Sequence, residues 1–543
     1  MRQTFVIVFA LLVGVTLAQG PGSGPFVLPQ PVSLTWGSQV VPISDASTFI
    51  IQSNVNSVTL NVATKRYSTL FFPFGNGTST SGAPTQSLSI QVQSSNEDLA
   101  LGVDESYKIA VDSASSLTIT ANTIYGAMRG LETFSQLLTY NPKSNSYSIP
   151  FAPISISDSP RFQWRGFMID TARHYEPVNF ILHIIDALGY NKFNVLHWHM
   201  VDAESFPVVS TTYPELSAKG AFNPLAIYTH DDIEEVVAYA KTYGIRVIPE
   251  FDIPGHAYGW GFGYPQLLAQ CPGYAYNINN IALNIAEPFT YQVITGLFTE
   301  MAALFPDQYF HTGGDEVIFG CWLQDPSIVS WMNKMGFDSV HAETYFENQL
   351  TYILDGLNRT KIVWNDPFQN GVTLAPGTVV QIWNSADITQ QVVDAGFKAI
   401  ASYAWYFDKQ QPMGVSTGEF ENTWEVFYTS DPASGVTSNV DSVIGGEATM
   451  WSEQVDQMSW DTRVFPRALA VAERLWSAAY INDTNSALPR LEQQSCNIAR
   501  RGVNSGPLEP DFCLIQTYLG MSRPNRLRPI IKLDRDTIKS ILS

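Results

Sequence analysis

The chain has 543 residues, with 30 Lys or Arg against 50 Asp or Glu, which gives a formal net charge of −20 at pH 7. Binding to nucleic acid needs clustered Lys and Arg to neutralise phosphates, so this charge argues against a nucleic-acid partner. It suits an acidic compartment, where part of the negative charge is titrated away. The length is too great for one hydrophobic core and is enough for a large barrel with a smaller domain beside it.

The N-terminus has the build of a cleavable secretory signal. Met1 and Arg2 precede an apolar run over residues 5–15, which closes in small residues near Ala18. That run is too short to span a bilayer, and no later stretch approaches ~20 uninterrupted apolar residues. We therefore predict that residues 1–18 are a signal peptide, that the protein is lysosomal or secreted, and that it has no membrane partner. A signal that stays uncleaved is the alternative.

Two further features agree with export. Asn-x-Ser/Thr acceptors for glycosylation occur at three positions, which predicts surface loops at Asn76, Asn358 and Asn482. Four cysteines allow three disulfide pairings in an oxidising compartment, and we favour sequence neighbours, Cys271 with Cys321 and Cys496 with Cys513. Four unpaired buried thiols are the alternative.

A small α+β domain is predicted over residues 19–160. Short alternating runs at residues 87–93 and 116–121 indicate strands, and a helical pattern covers residues 125–138. Residues 150–160, with three prolines, are predicted to be the linker to the next domain.

Residues 161–480 are predicted to form a (β/α)8 TIM barrel, which makes the chain an α/β protein. Eight short apolar runs are each followed by a helical segment, and unbroken apolar runs are typical of buried parallel strands. The runs lie at residues 167–170, 193–197, 245–249, 309–312, 361–364, 379–383, 398–402 and 443–450. A doubly wound sheet is the structural alternative. Residues 481–543 are predicted to be a C-terminal extension that packs on the barrel.

Almost every predicted strand ends in a charged or aromatic residue. In a barrel of this kind the carboxyl ends of the strands face the active site, so a ring of such residues predicts a site there. One of them alone could be a helix cap, which is the simpler interpretation of Asp202 or Asp252. His197 and His199 could suggest a zinc pair, but a satisfied structural couple is the favoured interpretation, and we predict no metal and no cofactor.

The most specific pattern is HTGGDE at residues 311–316, directly after a predicted strand. Two glycines allow a tight turn and a close approach of ligand, so that Asp315 and Glu316 can both project into a cleft. Mutual repulsion between adjacent carboxylates is expected to raise the pKa of one of them, as a proton donor requires. A solvated loop or a cation ligand would be the alternatives for the bare pattern.

At this point the chain resembles the β-N-acetylhexosaminidases of glycoside hydrolase family 20. Five segments carry the resemblance, each at a predicted strand end: RGFMIDTARHY at 165–175, NVLHWHMVD at 194–202, EFDIPGH at 250–256, HTGGDE at 311–316 and GGEATMWSE at 445–453. The resemblance implies removal of terminal, non-reducing β-linked N-acetylglucosamine or N-acetylgalactosamine by a retaining reaction in which the substrate's own 2-acetamido group is the nucleophile.

The resemblance also implies a role for individual residues. Glu316 would be the general acid and then the general base, and Asp315 would accept the acetamido N–H and stabilise the growing positive charge. Asp202 and His256 would orient and tune Glu316. The other implied contacts with the substrate are Tyr406 to the acetamido oxygen, the tryptophan walls Trp364, Trp383 and Trp451, and the groups that hold the ring hydroxyls, Arg173, Asp408 and Glu453.

Two departures from the family pattern limit this transfer. Ala203 stands where many relatives have a second aspartate, so some secondary support of the site is either missing or replaced by Glu204. Lys409 follows Asp408 at a position where relatives differ between acidic and neutral substrates, so activity on sulfated sugars stays open. The competing functions are a hydrolase specialised for chitooligosaccharides and a glycan-binding protein on an inactive scaffold. A homodimer is possible because relatives are often dimers.

Overall fold

The computed structural model describes residues 24–77, 86–112, 116–409, 423–510, 513 and 531–543. Its first part is a mixed seven-stranded sheet. Six strands follow the order β1-β7-β4-β5-β3-β2, and the short strand β6 pairs with β7 outside this order. The strands are β1 (Ser33–Ile43), β2 (Ile50–Ser53), β3 (Ser87–Val92), β4 (Tyr107–Val111), β5 (Leu117–Ala121), β6 (Thr139–Asn141) and β7 (Ser146–Asp158). Two helices accompany them, α1 (Val58–Leu70) and α2 (Ile124–Leu137).

The predicted linker over residues 150–160 is wrong, because most of it belongs to β7. This strand pairs antiparallel with both β1 and β4. Its inward side chains Ile149, Ile154 and Ile156 are at most 2% exposed. The alternation of apolar and polar residues therefore outweighs the prolines, since burial of every second side chain stabilises the strand in the sheet.

A closed barrel of eight parallel strands follows, which confirms the predicted (β/α)8 fold and excludes the doubly wound alternative. Neighbouring strands pair in chain order and β15 pairs with β8 to close the ring. The strands are β8 (Trp164–Asp170), β9 (Val195–Val201), β10 (Arg246–Phe251), β11 (Tyr309–His311), β12 (Thr360–Trp364), β13 (Val379–Ile382), β14 (Lys398–Ala401) and β15 (Val443–Met450).

The amino end of the barrel is filled by one apolar layer. Each strand contributes one buried side chain to this layer, and together they form a core separate from that outside the barrel. The eight residues are Trp164, Val195, Ile248, Tyr309, Ile362, Val379, Ile400 and Ile444. Because this plug closes the amino end, a ligand can enter only from the carboxyl end.

Helices surround the barrel and fill the connections between its strands. They are α3 (Val178–Gly189), α4 (Glu215–Gly220), α5 (His230–Lys241), α6 (Tyr258–Gly263), α7 (Pro288–Leu304), α8 (Phe319–Gln324), α9 (Pro326–Met335), α10 (Ser339–Gly356), α11 (Asp366–Gln369), α12 (Ala386–Asp394), α13 (Trp424–Thr429), α14 (Trp460–Val464) and α15 (Arg467–Trp476). Helices α16 (Thr484–Arg500) and α17 (Arg535–Leu542) follow in the C-terminal part and pack against α15 and α5 respectively.

The first domain docks on the amino end of the barrel through a buried arginine. Arg129 on α2 donates to the carbonyl oxygens of Tyr243 and Gly244, each at 3.0 Å, and its other edge pairs with Glu105 at 2.8 Å. Glu105 also binds Arg165 of the first barrel strand at 2.7 Å. Since buried charges are stable only when paired and hydrogen-bonded, this network fixes the first domain on the face opposite the active site.

Both disulfides join sequence neighbours, as the favoured pairing predicts: Cys271 to Cys321 and Cys496 to Cys513. The first disulfide joins the loop after β10 to α8, the helix that follows the HTGGDE turn in the chain. The three predicted glycosylation asparagines, Asn76, Asn358 and Asn482, are all exposed. The predicted signal peptide lies outside the described residues. Within the described part of the chain, no helix is both long and apolar enough to cross a bilayer.

Candidate active site

A pocket of about 210 Å³ opens at the carboxyl end of the barrel. Ten of the residues predicted for the site line it: Arg173, His256, Asp315, Glu316, Trp364, Trp383, Tyr406, Asp408, Trp451 and Glu453. Lys409 lines it as well. The remaining predicted residue, Asp202, is fully buried and contacts the lining from below. The ring of strand-end residues inferred from the sequence therefore converges on one concave site.

The HTGGDE turn leaves β11 with a backbone that requires glycine. Gly313 and Gly314 have φ of +67° and +95°, and a Cβ on Gly313 would lie 1.7 Å from Asp252 Oδ1. The Gly314 N–H donates to the same Asp252 oxygen at 3.0 Å. Asp252 can approach this closely only because Gly313 has no side chain. The resulting glycine turn directs Asp315 and Glu316 into the pocket.

Glu316 lies at the end of a buried chain of charged groups. Its Oε2 is 3.3 Å from His256 Nε2, and His256 Nδ1 is 3.1 Å from Asp202 Oδ1. Arg173 Nη2 lies 2.8 Å from the other Asp202 oxygen, and Arg173 Nε lies 3.1 Å from Glu204 Oε2. Glu204 thus supplies a carboxylate beside Arg173 in a loop where Ala203 cannot.

The expected repulsion between the adjacent carboxylates does not set their pKa values. The hydrogen bond with His256 lowers the pKa of Glu316, more than its partial burial raises it. The pKa of Asp315 rises to about 6, chiefly through burial, with contributions from Asp366 and Glu250. The two side chains therefore belong to different surroundings, and the prediction that one acid raises the pKa of the other is wrong.

Asp315 is supported from behind by a second carboxyl group. Asp252 is 1% exposed, and burial together with the charge of Asp315 raises its pKa well above the ordinary range. A neutral Asp252 places no second negative charge behind Asp315, and its contact lowers the pKa of Asp315 against the larger effect of burial. Among the described residues Asp315 Oδ1 has no hydrogen-bond partner, so this oxygen is available to a ligand.

Aromatic side chains wall the pocket. Trp364 and Trp451 lie with ring centroids 6.1 Å apart, and Trp364 Nε1 donates to Glu250 at 2.7 Å. Tyr406 lines the pocket together with Trp451, and burial raises the pKa of its phenol well above the ordinary value. The phenol therefore keeps its proton, and its O–H can donate to a ligand.

The rim of the pocket carries charges of both signs. Burial, with a smaller contribution from Glu453, raises the pKa of Asp408 to about 6. Within the described chain Asp408 Oδ1 has no hydrogen-bond partner. Lys409 Nζ lies over the Tyr406 ring, 4.0 Å from its centroid. The rim can therefore accept hydrogen bonds from hydroxyl groups and also presents one cation.

Comparison with known proteins identifies this arrangement. The catalytic domain of glycosyl hydrolase family 20 matches residues 162–479, and a domain described as beta-acetyl hexosaminidase like matches residues 27–137. The chain belongs to glycosyl hydrolase family 20. It is accordingly a glycosidase that removes terminal N-acetylhexosamine from glycans.

Individual relatives agree with the family assignment. Beta-hexosaminidase subunit A1 of Dictyostelium discoideum is 52% identical over 543 residues and is covered over 100% of both chains. Beta-hexosaminidase subunit beta of Homo sapiens is 40% identical over 76% of this chain and 73% of its own length. A chitobiase structure from Flavobacterium johnsoniae superposes with a TM-score of 0.77 at 29% identity, covering 88% of this chain and 73% of that chain.

The two histidines of β9 form part of the floor of this family 20 site. His197 Nδ1 lies 2.7 Å from Glu447, and its Nε2 lies 3.0 Å from Glu250. His199 bridges Glu250 at 2.5 Å and Asp202 at 2.9 Å. Each histidine thus lies between two carboxylates.

The sequence pattern did not indicate Asp366. This residue begins α11, two positions after the wall residue Trp364, and its carboxylate accepts from the Glu316 backbone N–H at 3.2 Å and from Trp383 Nε1 at 2.6 Å. The one available signal was an acidic residue just beyond a strand end. That signal is weak because a carboxylate there also suits the first turn of the short helix.

Proposed function

We propose that this enzyme cleaves its substrate by the attack of the sugar's own 2-acetamido group on the anomeric carbon. The acetamido carbonyl oxygen forms a bond to C1 while the C1–O bond to the leaving group breaks, and the leaving oxygen takes a proton from Glu316. Glu316 then removes a proton from water as the water attacks C1, and the new C1–O bond to the acetamide breaks. The configuration at C1 is retained after two inversions.

One observation carries this proposal: a carboxylate, a proton source and a free phenol converge on one pocket walled by tryptophan. Asp315 Oδ1 is free to accept the acetamido N–H, which orients the carbonyl oxygen towards C1 and stabilises the positive charge that develops on the acetamide. Tyr406 donates to the acetamido oxygen. Three tryptophans, Trp364, Trp383 and Trp451, enclose the acetamide and one face of the sugar. These apolar side chains exclude water and so strengthen the polar contacts with the acetamide.

The proton that reaches the leaving group is stored between His256 and Glu316. Burial lowers the pKa of His256, but the carboxylates of Asp202, Glu316 and Asp315 together outweigh burial, so its pKa ends well above the ordinary value. In the empty site the proton therefore resides on His256. When a sugar displaces water from Glu316, the neutral carboxyl becomes favoured and the proton crosses the 3.3 Å hydrogen bond.

The remaining pocket residues hold the sugar ring. Arg173 offers a planar set of donors, and Asp408 and Glu453 offer carboxylate acceptors to the ring hydroxyls. Arg173 is already held by Asp202 and Glu204, so its contact with a sugar costs little side-chain entropy.

Two substitutions and one substrate pair test the mechanism. Glu316→Gln removes the proton donor and is expected to lower kcat by about 10² to 10⁴ while a competitive inhibitor still binds. Asp315→Asn is expected to lower kcat as well through loss of acetamide alignment. The aryl N-acetylglucosaminide should be cleaved and the plain aryl glucoside should not, because the glucoside lacks the nucleophile. Full activity of either variant, or equal cleavage of both substrates, would contradict the proposal.

The natural substrate is proposed to be the terminal β-linked N-acetylglucosamine or N-acetylgalactosamine of glycoconjugates and oligosaccharides. A hydrolase specialised for chitooligosaccharides is the alternative, and the name of the chitobiase relative favours it for that protein. A kcat/KM that rises steeply with oligomer length indicates extra subsites and hence the specialised enzyme. Retention of Asp315, Glu316 and Tyr406 in one pocket counts against an inactive glycan-binding protein.

We also propose a cellular location and an assembly state for the protein. We place the protein in the secretory pathway, as a lysosomal or secreted glycoprotein, on the basis of its N-terminal sequence and its relatives. Several relatives are named as subunits, which supports a homodimer for this chain. Sedimentation of the purified protein and sequencing of its mature N-terminus test these two points.

A further inference from the structure

Asp366 connects the two sides of the active site without lining the pocket. It is half-buried at the start of α11, directly beyond β12. Its Oδ1 accepts the Glu316 backbone N–H at 3.2 Å, and its Oδ2 accepts Trp383 Nε1 at 2.6 Å. One carboxylate therefore holds the main chain of the proton donor and the side chain of a wall residue.

Glu316 needs such support because its backbone is strained. Its φ is +51°, in the left-handed region that residues with a Cβ rarely adopt. The preceding glycines at 313 and 314 reach positive φ freely, but Glu316 does not. A strained conformation persists only where its surroundings hold it, and the hydrogen bond to Asp366 is the backbone contact that does so at this residue.

Asp366 is itself held in place by its neighbour. The side chain of Asn365 is fully buried, and its Oδ1 accepts the Trp383 backbone N–H at 2.8 Å. Asn365 Nδ2 donates to Gln369 at 2.5 Å and lies 3.4 Å from Asp366 Oδ2. Asn365 therefore fixes the main chain of Trp383, and Asp366 fixes its indole. Because its neighbours are held in this way, Asp366 has a defined position.

We propose that Asp366 is a positioning residue that fixes the left-handed backbone of Glu316 and couples the proton donor to the Trp383 wall. This inference rests on the proposed role of Glu316 as general acid. Only a carboxylate can accept both N–H groups, because an amide in the same place would turn its NH₂ towards one of the two donors. Loss of Asp366 lets the Glu316 carboxyl drift from the leaving oxygen, and small displacements of a catalytic group are costly.

The test measures kcat/KM of Asp366→Ala and Asp366→Asn on two aryl N-acetylglucosaminides. One substrate has a weakly acidic phenol as leaving group, which needs a proton from the enzyme, and the other has a strongly acidic phenol, which does not. We expect a loss of about 10- to 100-fold on the first substrate and a loss of less than about threefold on the second. In the Glu316→Gln background the Asp366→Ala change should add little on the first substrate.

Two controls separate positioning from other effects. Trp383→Phe removes the indole N–H that Asp366 accepts together with part of the aromatic wall, so it sets an upper limit on what the lost indole contact contributes to the effect of Asp366→Ala. Asp387→Asn removes an exposed carboxylate at the start of α12, away from the pocket, and should leave both rates and the thermal midpoint unchanged. The thermal midpoints of the Asp366 variants show whether the fold is intact.

Equal losses on the two substrates, or wild-type rates on both, would overturn the inference. A loss in Trp383→Phe equal to that in Asp366→Ala, with the same leaving-group dependence, would overturn it as well, because the indole contact alone would then explain the effect. These results leave the proposed function standing as long as Glu316→Gln is inactive on the poor leaving group. Failure of that variant to lose activity would instead refute the proposed function.

Discussion

His256 Nε2 lies 3.3 Å from Glu316 Oε2, and in the proposed mechanism this pair holds the proton that the reaction uses. Five charged or titratable groups approach the pair: Asp202, Arg173 and Asp315 contact His256, Asp252 lies behind Asp315, and Asp366 binds the Glu316 backbone. The positive charge of His256 lowers the pKa of Glu316, and the negative charge of Asp202 raises that of His256.

The first prediction concerns the pH dependence of a His256→Gln variant. In the wild type, the shared proton is lost only as the pH rises through the raised pKa of His256. Without His256 the proton can reside only on Glu316, a carboxyl that loses it at lower pH. The basic limb of the profile of kcat/KM should therefore move to lower pH, and the maximal rate should fall. A basic limb unchanged from the wild type would show that His256 does not hold the proton.

Tyr406→Phe tests the donor to the acetamido oxygen. The phenyl ring of the variant preserves the apolar wall, so Tyr406→Phe loses only the O–H. We expect kcat/KM to fall by about 10² to 10³, as for the loss of one donor to a developing charge. The melting temperature should stay close to that of the wild type. A loss of less than about threefold would remove Tyr406 from the mechanism.

Lys409 is predicted to favour anionic sugars. Its ammonium lies over Tyr406 at the rim, and Asp408 nearby would repel an anion unless it is protonated. The pKa of Asp408 is raised to about 6, so the repulsion weakens below that pH and the attraction by Lys409 prevails. Lys409→Ala should therefore lower kcat/KM for a sulfated N-acetylglucosaminide several-fold at pH 5 and leave that for the neutral one unchanged. Equal effects on both substrates would exclude a charge contact.

A buried acid on α10 should make the protein more stable at acidic pH. Burial, with a smaller contribution from the neighbouring Glu347, raises the pKa of Glu343 to about 8. Its contribution to stability is complete below the ordinary carboxyl pKa of 4.5 and is lost as the pH rises to about 8. Glu343→Gln should therefore match the wild type in thermal midpoint at pH 4.5 and exceed it at pH 8.

The matched control for this prediction is Glu347→Gln. Glu347 pairs with buried Lys361 at 2.6 Å, so its loss leaves a charge without a partner and should lower the thermal midpoint at both pH values. A Glu343→Gln variant that is destabilised equally at both pH values would show that the acid is ionised in the folded protein.

Most of the fold could be predicted from the sequence because hydrophobic patterns that mark strands and helices lie within short segments of the chain. The predicted strand over residues 443–450 matches β15 residue for residue. Strand β7 was missed because prolines outweighed its alternating pattern. The pKa of Glu316 depends on His256, 60 positions earlier in the chain, and the role of Asp366 depends on a backbone angle at Glu316. Neither relation has a signature in local sequence.

The central claim is that the substrate supplies its own nucleophile. It is tested most directly by kcat/KM on aryl glucosaminides whose N-acetyl group carries zero, one, two or three fluorine atoms. Fluorine withdraws electrons from the carbonyl oxygen and weakens it as a nucleophile, so kcat/KM should fall steeply with each substitution. Rates that do not depend on the number of fluorine atoms would contradict the account.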